Sequence, residues 1–507
     1  MSNKQLTKNL IFNSISFLLN FIISFFFTPY LIRVVGKEAY SFFPLVNNII
    51  NYSSIITVAV GSMAGRFITM SIYKGDIKSA NGFFNSVWIA NVFLSVIFSL
   101  ISILGIVYIS KILTIPNSLI YEVQILFGFT SISLILGLIT GLFGIGSFVK
   151  NRIDMQASRQ AVSSIIRVVC IVLLFWLFKP SIVYMSLSAL IASVFNVYFN
   201  ISLKNKLLPE LTFFPTKYFK WDYLKITIFS GIWNSINQLS NVLLQQFDLL
   251  ITNIFIGVAA TGDYSIAKTA PTLILNFLAM LSGTFAPHFN ILYAKGKIKE
   301  LINEVKKSMM LISLLIGIPI GFLLVYSQEF YQLWMPEQDS NILYWLTFIT
   351  ILPMICGGSV NPIFGIFSTT NKLRTPSIVL LVAGILNTVI ILILLKTTDL
   401  GIWSIPFVGA IQSILRNTLF TTMYGAHCLN QKLTIFFPTL FKGIIGMCIV
   451  MVVGIVLKSF YSISNWGDFF ISLTFIAFTS LLINSFIILA KHDRKVLYNL
   501  ILAKVKL

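Results

Sequence analysis

The sequence predicts an all-α polytopic membrane protein with about fourteen transmembrane helices, arranged as two pseudo-symmetric six-helix lobes plus two C-terminal helices. Three observations support this fold class: an apolar composition, recurring apolar stretches and an internal repeat. Of the 507 residues, 57% are apolar and 10% are charged, and the mean hydropathy is +0.90. Because soluble domains carry about 25% charged residues, this composition indicates a surface that faces lipid.

The apolar stretches divide the chain into candidate helices. Crossing a ~30 Å hydrocarbon core takes roughly 20 mostly apolar residues, and such stretches recur along the whole sequence. Their approximate cores are 10–32, 40–70, 82–109, 120–147, 160–178, 181–203, 226–256, 264–292, 308–326, 342–367, 376–395, 401–424, 437–457 and 469–490. No segment of soluble-domain composition interrupts them, so we expect one integral membrane unit without an appended enzyme domain.

The charged residues give these helices an orientation. With the N-terminus inside, the inner loops and tails hold 26 of 36 Lys and Arg residues, and the outer loops hold 6. An excess of basic residues on the cytoplasmic side is the positive-inside pattern, so we expect both termini in the cytoplasm. The net charge of +20 then needs no nucleic-acid partner, because a basic cytoplasmic face attracts anionic membrane lipids.

The sequence also matches itself at an offset of 221 residues. The matching pairs include Phe12–Ile15 with Trp233–Ile236, Gly36 with Gly257, and Lys74–Lys78 with Lys295–Lys299. Six predicted spans precede the second copy, which predicts two lobes of the same orientation with a substrate site between them, as in transporters built from parallel repeats. The predicted division is an N-terminal lobe at 1–203, a cytoplasmic linker at 204–225, a C-terminal lobe at 226–425, and two helices with a basic tail at 426–507.

Small residues predict where helices approach closely. Gly137 and Gly141 form one GxxxG pair, and Gly317 and Gly321 form another. Glycines at this spacing allow two helix backbones to come together within a membrane. Each pair therefore permits a close helix contact.

Amide side chains form a stripe along the seventh predicted span, 226–256. Spacings of three, four and seven residues place them on one helix face, and the first two spans carry a weaker version. An amide in hydrocarbon needs a partner, so the stripe faces either another helix or a wet cavity, where amides could bond sugar hydroxyls as donors and acceptors. The candidate cavity residues are Asn13, Asn20, Asn47, Asn51, Asn234, Asn237, Gln238, Asn241 and Gln245.

Five charged residues are assigned to the interiors of the predicted spans, whereas Glu122 and Lys442, near the starts of their spans, are counted with the loops. Arg66, Arg167 and Arg416 lie in inner halves, where they would form a cationic vestibule suited to phosphate, since a guanidinium binds oxyanions with a bidentate fork. Alternatively, each arginine extends to the inner interface. Asp248 and Lys268 flank Gly257 and are expected at similar depth, where they either pair or leave Asp248 to couple transport to protons or sodium.

Cysteine and histidine usage predicts no further chemistry. The four cysteines stand singly in apolar stretches, and the three histidines are far apart in sequence. Neither a disulfide framework nor a metal site follows from this spacing. We expect no cofactor.

The sequence resembles the multidrug/oligosaccharidyl-lipid/polysaccharide (MOP) exporter superfamily over nearly its whole length. The resemblance rests on Asn13 to Asn20, Thr28 to Tyr40, Arg66 and the second-copy segment Asp248 to Tyr264. Within the superfamily, the chain is most similar to the polysaccharide transport, or Wzx-type, branch. One departure is Ser41, where relatives often have glycine.

The resemblance implies a MATE-like fold whose central cavity opens alternately to the two faces of the bacterial cytoplasmic membrane. It implies a flippase that moves undecaprenyl-pyrophosphate-linked oligosaccharide, a precursor of cell-surface polysaccharide or teichoic acid, from the inner to the outer leaflet. Other polysaccharide-assembly membrane proteins are the implied partners. The cationic cavity of the superfamily would correspond here to Arg66, Arg167, Lys268 and Arg416.

Two other functions stay open at this point. A MATE-type multidrug exporter would bind cationic drugs and would need buried carboxylates, whereas the spans hold four cations and one acid. A membrane-embedded glycan polymerase or transferase would need positioned acids, bases or nucleophiles, and the predicted outer loops are short and contain no histidine. The glycan and the driving force, whether proton, sodium or membrane potential, are not specified by the sequence.

Overall fold

The computed structural model describes residues 3–487, and their regular secondary structure is helical throughout. The predicted basic tail beyond residue 487 lies outside the described residues. Within that range, twelve helical segments are long and apolar enough to cross a membrane. Large apolar side chains are exposed on them, such as Trp176 at 80% and Phe26 at 69%, which suits a surface in contact with lipid.

The first half of the chain forms nine α-helices, with 3-10 turns at Asn117–Leu119 and Leu142–Ile145. They are α1 (Asn3–Val35), α2 (Lys37–Asn51), α3 (Ser54–Gly61), α4 (Ala64–Tyr73), α5 (Ile77–Ile112), α6 (Ile120–Gly141), α7 (Gly146–Val149), α8 (Ile153–Leu177) and α9 (Ile182–Leu207). The second predicted span is thus broken into α2, α3 and α4, with turns at Tyr52–Ser53 and Ser62–Met63.

The second half continues with further helices and a 3-10 turn at Gly401–Trp403. They are α10 (Pro215–Tyr218), α11 (Trp221–Asn241), α12 (Phe247–Phe255), α13 (Val258–Ala267), α14 (Thr269–Gly283), α15 (Ala286–Ala294), α16 (Ile298–Trp334), α17 (Ser340–Ile351), α18 (Met354–Val360), α19 (Ile363–Thr369), α20 (Arg374–Thr397), α21 (Ser404–Leu415), α22 (Thr422–Cys428), α23 (Phe437–Phe460) and α24 (Trp466–Ile487).

Two predicted spans differ from the other twelve. The segments 226–256 and 401–424 are helical, but each is interrupted by a π-helical segment, at Val242–Gln246 and at Arg416–Thr421. A π segment leaves the regular i to i+4 hydrogen bonding for one turn. The predicted all-helical membrane fold is therefore confirmed. Twelve of the predicted spans correspond to candidate membrane spans, and the other two are helices interrupted by a π segment.

The repeat found in the sequence recurs in the helix boundaries. The starts of α2 and α13, of α5 and α16, and of α8 and α20 are each 221 residues apart, as are the ends of α9 and α22. The equivalent turns also share backbone conformation, with positive φ at Gly36 (86°) and Gly257 (124°) and at Gly75 (78°) and Gly296 (68°). Because glycine adopts this region without strain, the repeat preserves the turns that separate its helices.

By its internal contacts, the chain divides into two compact units. The first contains residues up to Gly262 together with Ser377–Thr388, and the second contains Asp263–Pro376 and the chain from Val389 onwards. These units group helices by contact, whereas the predicted lobes 1–203 and 226–425 follow the sequence repeat. The division into lobes stays a prediction.

The linker at 204–225 is held against α5 in the first unit by side-chain amides. Asn81 Oδ1 accepts a hydrogen bond from Thr212 N at 2.7 Å. Asn85 donates to Thr212 O at 3.0 Å and accepts from Phe214 N at 3.0 Å. The amides thus satisfy backbone groups of an irregular segment, which fixes the point where α11 begins.

In the second unit, α16 packs closely against α23. A Cβ atom added to Gly321 would lie 2.7 Å from Val450 Cβ, and one added to Gly317 would lie 3.1 Å from Met447 Cγ. This GxxxG pair therefore makes the close approach that its spacing permits. Gly137 and Gly141 make no such contact, since a Cβ added to either would meet no atom within 4 Å. Spacing alone does not place a partner helix beside the glycines.

Replacing Asn85 by alanine should destabilise the first unit. The substitution leaves Phe214 N and Thr212 O without their side-chain partner, and each buried unsatisfied group costs about 1–3 kcal/mol. We expect a lower thermal unfolding midpoint for the purified protein in detergent. The control is Asn117→Ala, which removes an exposed amide and should leave the midpoint unchanged; equal midpoints for the two variants would contradict the role of the linker contacts.

Candidate functional site

The amide stripe of the seventh predicted span contacts the broken second span within the first unit. Gln238 on α11 donates to Ser54 Oγ at 2.8 Å, and Asn234 donates to Ser62 Oγ at 3.1 Å. Both serines lie where α3 begins or has just ended, next to the breaks in the helix. These two amides therefore make interhelical hydrogen bonds, the first of the two roles considered for the stripe.

A glycine allows α11 to approach α3 closely enough for these bonds. A Cβ added to Gly231 would lie 2.2 Å from the carbonyl oxygen of Ala59, a distance that no side chain tolerates. Gly231 is buried one helical turn before Asn234. The position therefore requires the absence of a side chain.

The π-helical segment Val242–Gln246 exposes a backbone carbonyl to side chains of the second span. The Gln246 carbonyl oxygen accepts hydrogen bonds from Asn48 Nδ2 at 3.3 Å and Tyr52 Oη at 3.4 Å. The Tyr52 ring also packs on Phe247, with ring centroids 5.6 Å apart. Asn48 and Tyr52 belong to the polar segment of the second span, but the sequence carries no signal for the π segment that they stabilise.

The remaining candidate residues of the polar face have different environments. Asn20 accepts from Ser164 Oγ at 2.8 Å, and Asn47 donates to the carbonyl of Phe43 at 2.7 Å. Asn13 is half-buried, whereas Asn51, Asn241 and Gln245 are exposed. Within the described residues, Asn237 Oδ1 is buried without a hydrogen-bond partner, so part of the face retains unused hydrogen-bonding capacity.

Asp248 and Lys268 lie in different units. The carboxylate residue Asp248 is buried, with 8% of its surface exposed, in the first turn of α12. Lys268 precedes α14, and its Nζ lies 5.4 Å from the centre of the Tyr264 ring. Their pairing, and the alternative role of Asp248 in ion coupling, stay predictions.

The three arginines predicted in spans have no carboxylate partner within 4 Å among residues 3–487. Arg66 is exposed on α4. Arg167 on α8 lies 5.9 Å from the centre of the Phe43 ring in the same unit. Arg416 is the first residue of the π segment in the second unit. Its Nε is buried without an acceptor among the described residues. A shared vestibule formed by these residues stays a prediction.

By contrast, the buried carboxylate of Asp154, which no sequence pattern singled out, is fully paired. Asp154 accepts from Lys8 Nζ at 3.2 Å, from Arg152 Nε at 3.0 Å and from Gln5 Nε2 at 2.9 Å. The hydrogen bond to Asp154 raises the pKa of Arg152 above its usual value. This cluster joins the start of α1 to the start of α8, and neighbouring Lys, Arg and Asp residues in inner segments were its only sequence signal.

Comparison with known proteins assigns the chain to a family. Residues 6–292, more than half of the chain, match the family described as Polysaccharide biosynthesis protein. The chain belongs to this family. It is also 32% identical over 446 residues to the uncharacterized membrane protein EpsK of Bacillus subtilis (strain 168), covering 87% of this chain and 86% of that protein.

Solved structures share the fold at low sequence identity. A structure of the lipid II flippase MurJ in an inward closed conformation matches with a TM-score of 0.69 and 14% identity, over 96% of this chain and 98% of that one. An inward-facing multidrug resistance MATE family transporter of the MOP superfamily matches with a TM-score of 0.60 and 13% identity, over 84% and 97% of the two chains. The predicted MATE-like fold is confirmed, and the chain is a multi-pass membrane protein of a polysaccharide biosynthesis family.

Replacing Gly231 by alanine should separate α3 from α11. The added methyl group collides with the Ala59 carbonyl, so the bonds from Asn234 and Gln238 to the serines should lengthen or break. We expect a lower thermal unfolding midpoint and reduced disulfide cross-linking between cysteines introduced at positions 54 and 238.

The matched control for this prediction is Gly137→Ala. The control position lies in α6 with no atom within 4 Å of an added Cβ, and alanine is favoured over glycine in a helix by up to about 1 kcal/mol. We expect this variant to unfold at the wild-type temperature or slightly above it. A Gly231→Ala variant as stable as Gly137→Ala would show that the close approach is not needed.

Proposed function

We propose that the protein is a flippase that moves undecaprenyl-pyrophosphate-linked oligosaccharide from the inner to the outer leaflet of the bacterial cytoplasmic membrane. The observation that carries the proposal is the set of three span arginines that have no carboxylate partner within residues 3–487, in a chain of the polysaccharide biosynthesis family. The substrate follows from the chemistry that such cations attract and from the family's place in glycan assembly.

An unpaired cation at membrane depth is costly, and residues of this kind mark substrate pathways. A pyrophosphate carries the opposite charge, and its oxygens match the bidentate geometry of a guanidinium. Arg66 and Arg167 would serve the first unit and Arg416 the second, with Lys268 as a further cation of the second unit. A negatively charged headgroup can then cross ~30 Å of hydrocarbon without facing lipid.

Amide groups supply a second part of the substrate chemistry. Asn234 and Gln238 are used to hold α11 against the second span, whereas Asn241 is exposed and Asn237 Oδ1 has no partner among the described residues. Amides donate to and accept from hydroxyl groups, so this face suits the sugars that follow the pyrophosphate. We extend the same proposal to Asn13 and Asn51.

Alternating access suits the construction of the helices. Breaks in α2–α4 and α13–α15 and the two π segments supply points where a helix can bend, and the reaction breaks no covalent bond. The distribution of lysine and arginine supports an inner location of both termini. The cytoplasmic face would then receive the substrate from the enzymes that build it.

The competing proposal is a multidrug exporter. The likeness to a MATE family structure favours it, but a cationic drug would need an available carboxylate. Of the five charged residues assigned to the interiors of the predicted spans, four are cations and Asp248 is the one acid. Charge therefore favours an anionic substrate.

Flipping can be measured with purified protein in liposomes that contain a short polyprenyl-pyrophosphate oligosaccharide. An external, membrane-impermeant glycosidase reports the fraction of substrate in the outer leaflet. We expect protein-dependent exposure beyond the initial outer-leaflet pool. Alanine at Arg66, Arg167 or Arg416 should reduce the rate by about tenfold or more, since a hydrogen bond to a charged group contributes about 1.5–3 kcal/mol.

The control is Lys179→Ala, which removes an exposed cation from a loop of the first unit and should leave the rate unchanged. Normal flipping by all three arginine variants would exclude their role in the pathway. Absence of protein-dependent exposure, with export of a cationic dye from the same vesicles, would instead identify a multidrug exporter.

A further inference from the structure

The π-helical segment of the second unit begins at an arginine. Residues Arg416–Thr421 separate α21 from α22, and Thr421 Oγ1 donates to the Arg416 carbonyl oxygen at 3.2 Å. Such segments are rare and occur frequently at functional sites. Here the side chain of Thr421 compensates the altered backbone bonding, so the segment is stabilised from within its own helix.

Two hydrogen-bond donors on this helix are buried without acceptors among residues 3–487. They are Arg416 Nε and Gln412 Nε2. Residues four positions apart lie on the same side of a helix, so the two donors share one face. Because a buried unpaired donor costs free energy, two on one face require an explanation.

Asn417, the residue after Arg416, determines how this part of the helix packs. Asn417 is buried and donates to Ser413 Oγ at 3.2 Å. Its Nδ2 lies 3.1 Å from the position a Cβ would take on Gly357 of α18. The π segment thus packs against α18 through Asn417. Gln412 and Arg416 are partly accessible as residues, although the two donor atoms themselves are buried.

The internal repeat provides a comparison within the same chain. At the offset of 221 residues, Gln412 corresponds to Ile191 and Arg416 to Phe195. Both equivalents lie in α9, which runs without a π segment from Ile182 to Leu207. A helix in this position therefore folds with apolar residues, and its architecture does not require the two donors.

We propose that Gln412 and Arg416 form a phosphate subsite in the second unit. Arg416 would offer Nε and an Nη to two oxygens of one phosphate group, as guanidinium groups commonly do, and Gln412 Nε2 would donate to a third oxygen. The diphosphate of a polyprenyl-linked glycan supplies these oxygens. The identity of this ligand rests on the proposed function, whereas the recognition of a phosphate oxyanion does not.

Binding can be tested with the full-length protein in nanodiscs, using undecaprenyl diphosphate without sugar as the probe. We expect saturable binding to wild-type protein and none of the uncharged undecaprenyl alcohol. Arg416→Ala should weaken the affinity at least tenfold and Gln412→Ile several-fold. Arg416→Lys should recover only part of the loss, because lysine keeps the charge but lacks the fork.

Two controls separate the subsite from general effects. Lys432→Ala removes an exposed cation from the same unit, and Thr418→Val removes a hydroxyl that bonds only the carbonyl of Ile414 in its own helix. Both should bind the probe like wild type, and the thermal midpoints of all variants establish that they are folded. Displacement of the probe by inorganic pyrophosphate would assign recognition to the anion alone, whereas no displacement would assign it to the lipid-linked diphosphate.

The subsite is overturned if folded Arg416→Ala and Gln412→Ile variants bind undecaprenyl diphosphate with wild-type affinity, or if wild-type protein does not bind it. Either result together with normal flipping in the liposome assay would leave the flippase intact and remove only this subsite. Conversely, donor-dependent binding without any flipping would retain the phosphate subsite and exclude the flippase.

Discussion

Hydrogen bonding at membrane depth is the constraint on which the fold and the site both depend. Hydrocarbon offers no partner to a polar group, so a helix can be broken in a membrane only where protein atoms replace the lost bonds. The contact between the second and seventh predicted spans follows this rule. In the π segment, the backbone carbonyl of Gln246 accepts hydrogen bonds from Asn48 and Tyr52. Beside the helix breaks, the hydroxyl oxygens of Ser54 and Ser62 accept from Gln238 and Asn234.

The need to compensate a buried charge distinguishes charged residues with a structural role from those available to a substrate. Asp154 is almost completely buried, yet Lys8, Arg152 and Gln5 satisfy it, so the cluster fastens α1 to α8 and has no capacity for a ligand. The span arginines lack such partners among the described residues. Because a charge at membrane depth is not retained without compensation, span cations without a carboxylate partner among the described residues agree with an anionic substrate.

Sequence patterns predicted the features that composition controls and missed those that tertiary contacts control. Hydropathy located the twelve candidate spans and the two helices with π segments. The 221-residue repeat matched Gly36 with Gly257, and both lie at turns, since glycine at positive φ is a local requirement. The π segments depend on which side chains meet an altered backbone, and a linear sequence does not contain that information. The two GxxxG pairs illustrate the same limit, because Gly317 and Gly321 face α23 whereas Gly137 and Gly141 face no atom within 4 Å.

Departures from the repeat are as informative as the repeat itself. In the most apolar stretch of α16, 67% of the residues are buried, whereas in that of its equivalent α5 the share is 22%. The difference arises because α23 and α24, which have no counterpart in the first half, pack on α16. The helix containing Arg416 differs from α9 in a second way, by a π segment and by donors where α9 has Ile191 and Phe195. The repeat provides two copies of one helical framework. Where one copy has a buried polar group and the other has an apolar residue at the equivalent position, folding alone does not account for the polar residue. Gln412 and Arg416 meet that criterion, which is why a ligand, rather than the architecture of the second unit, explains them best.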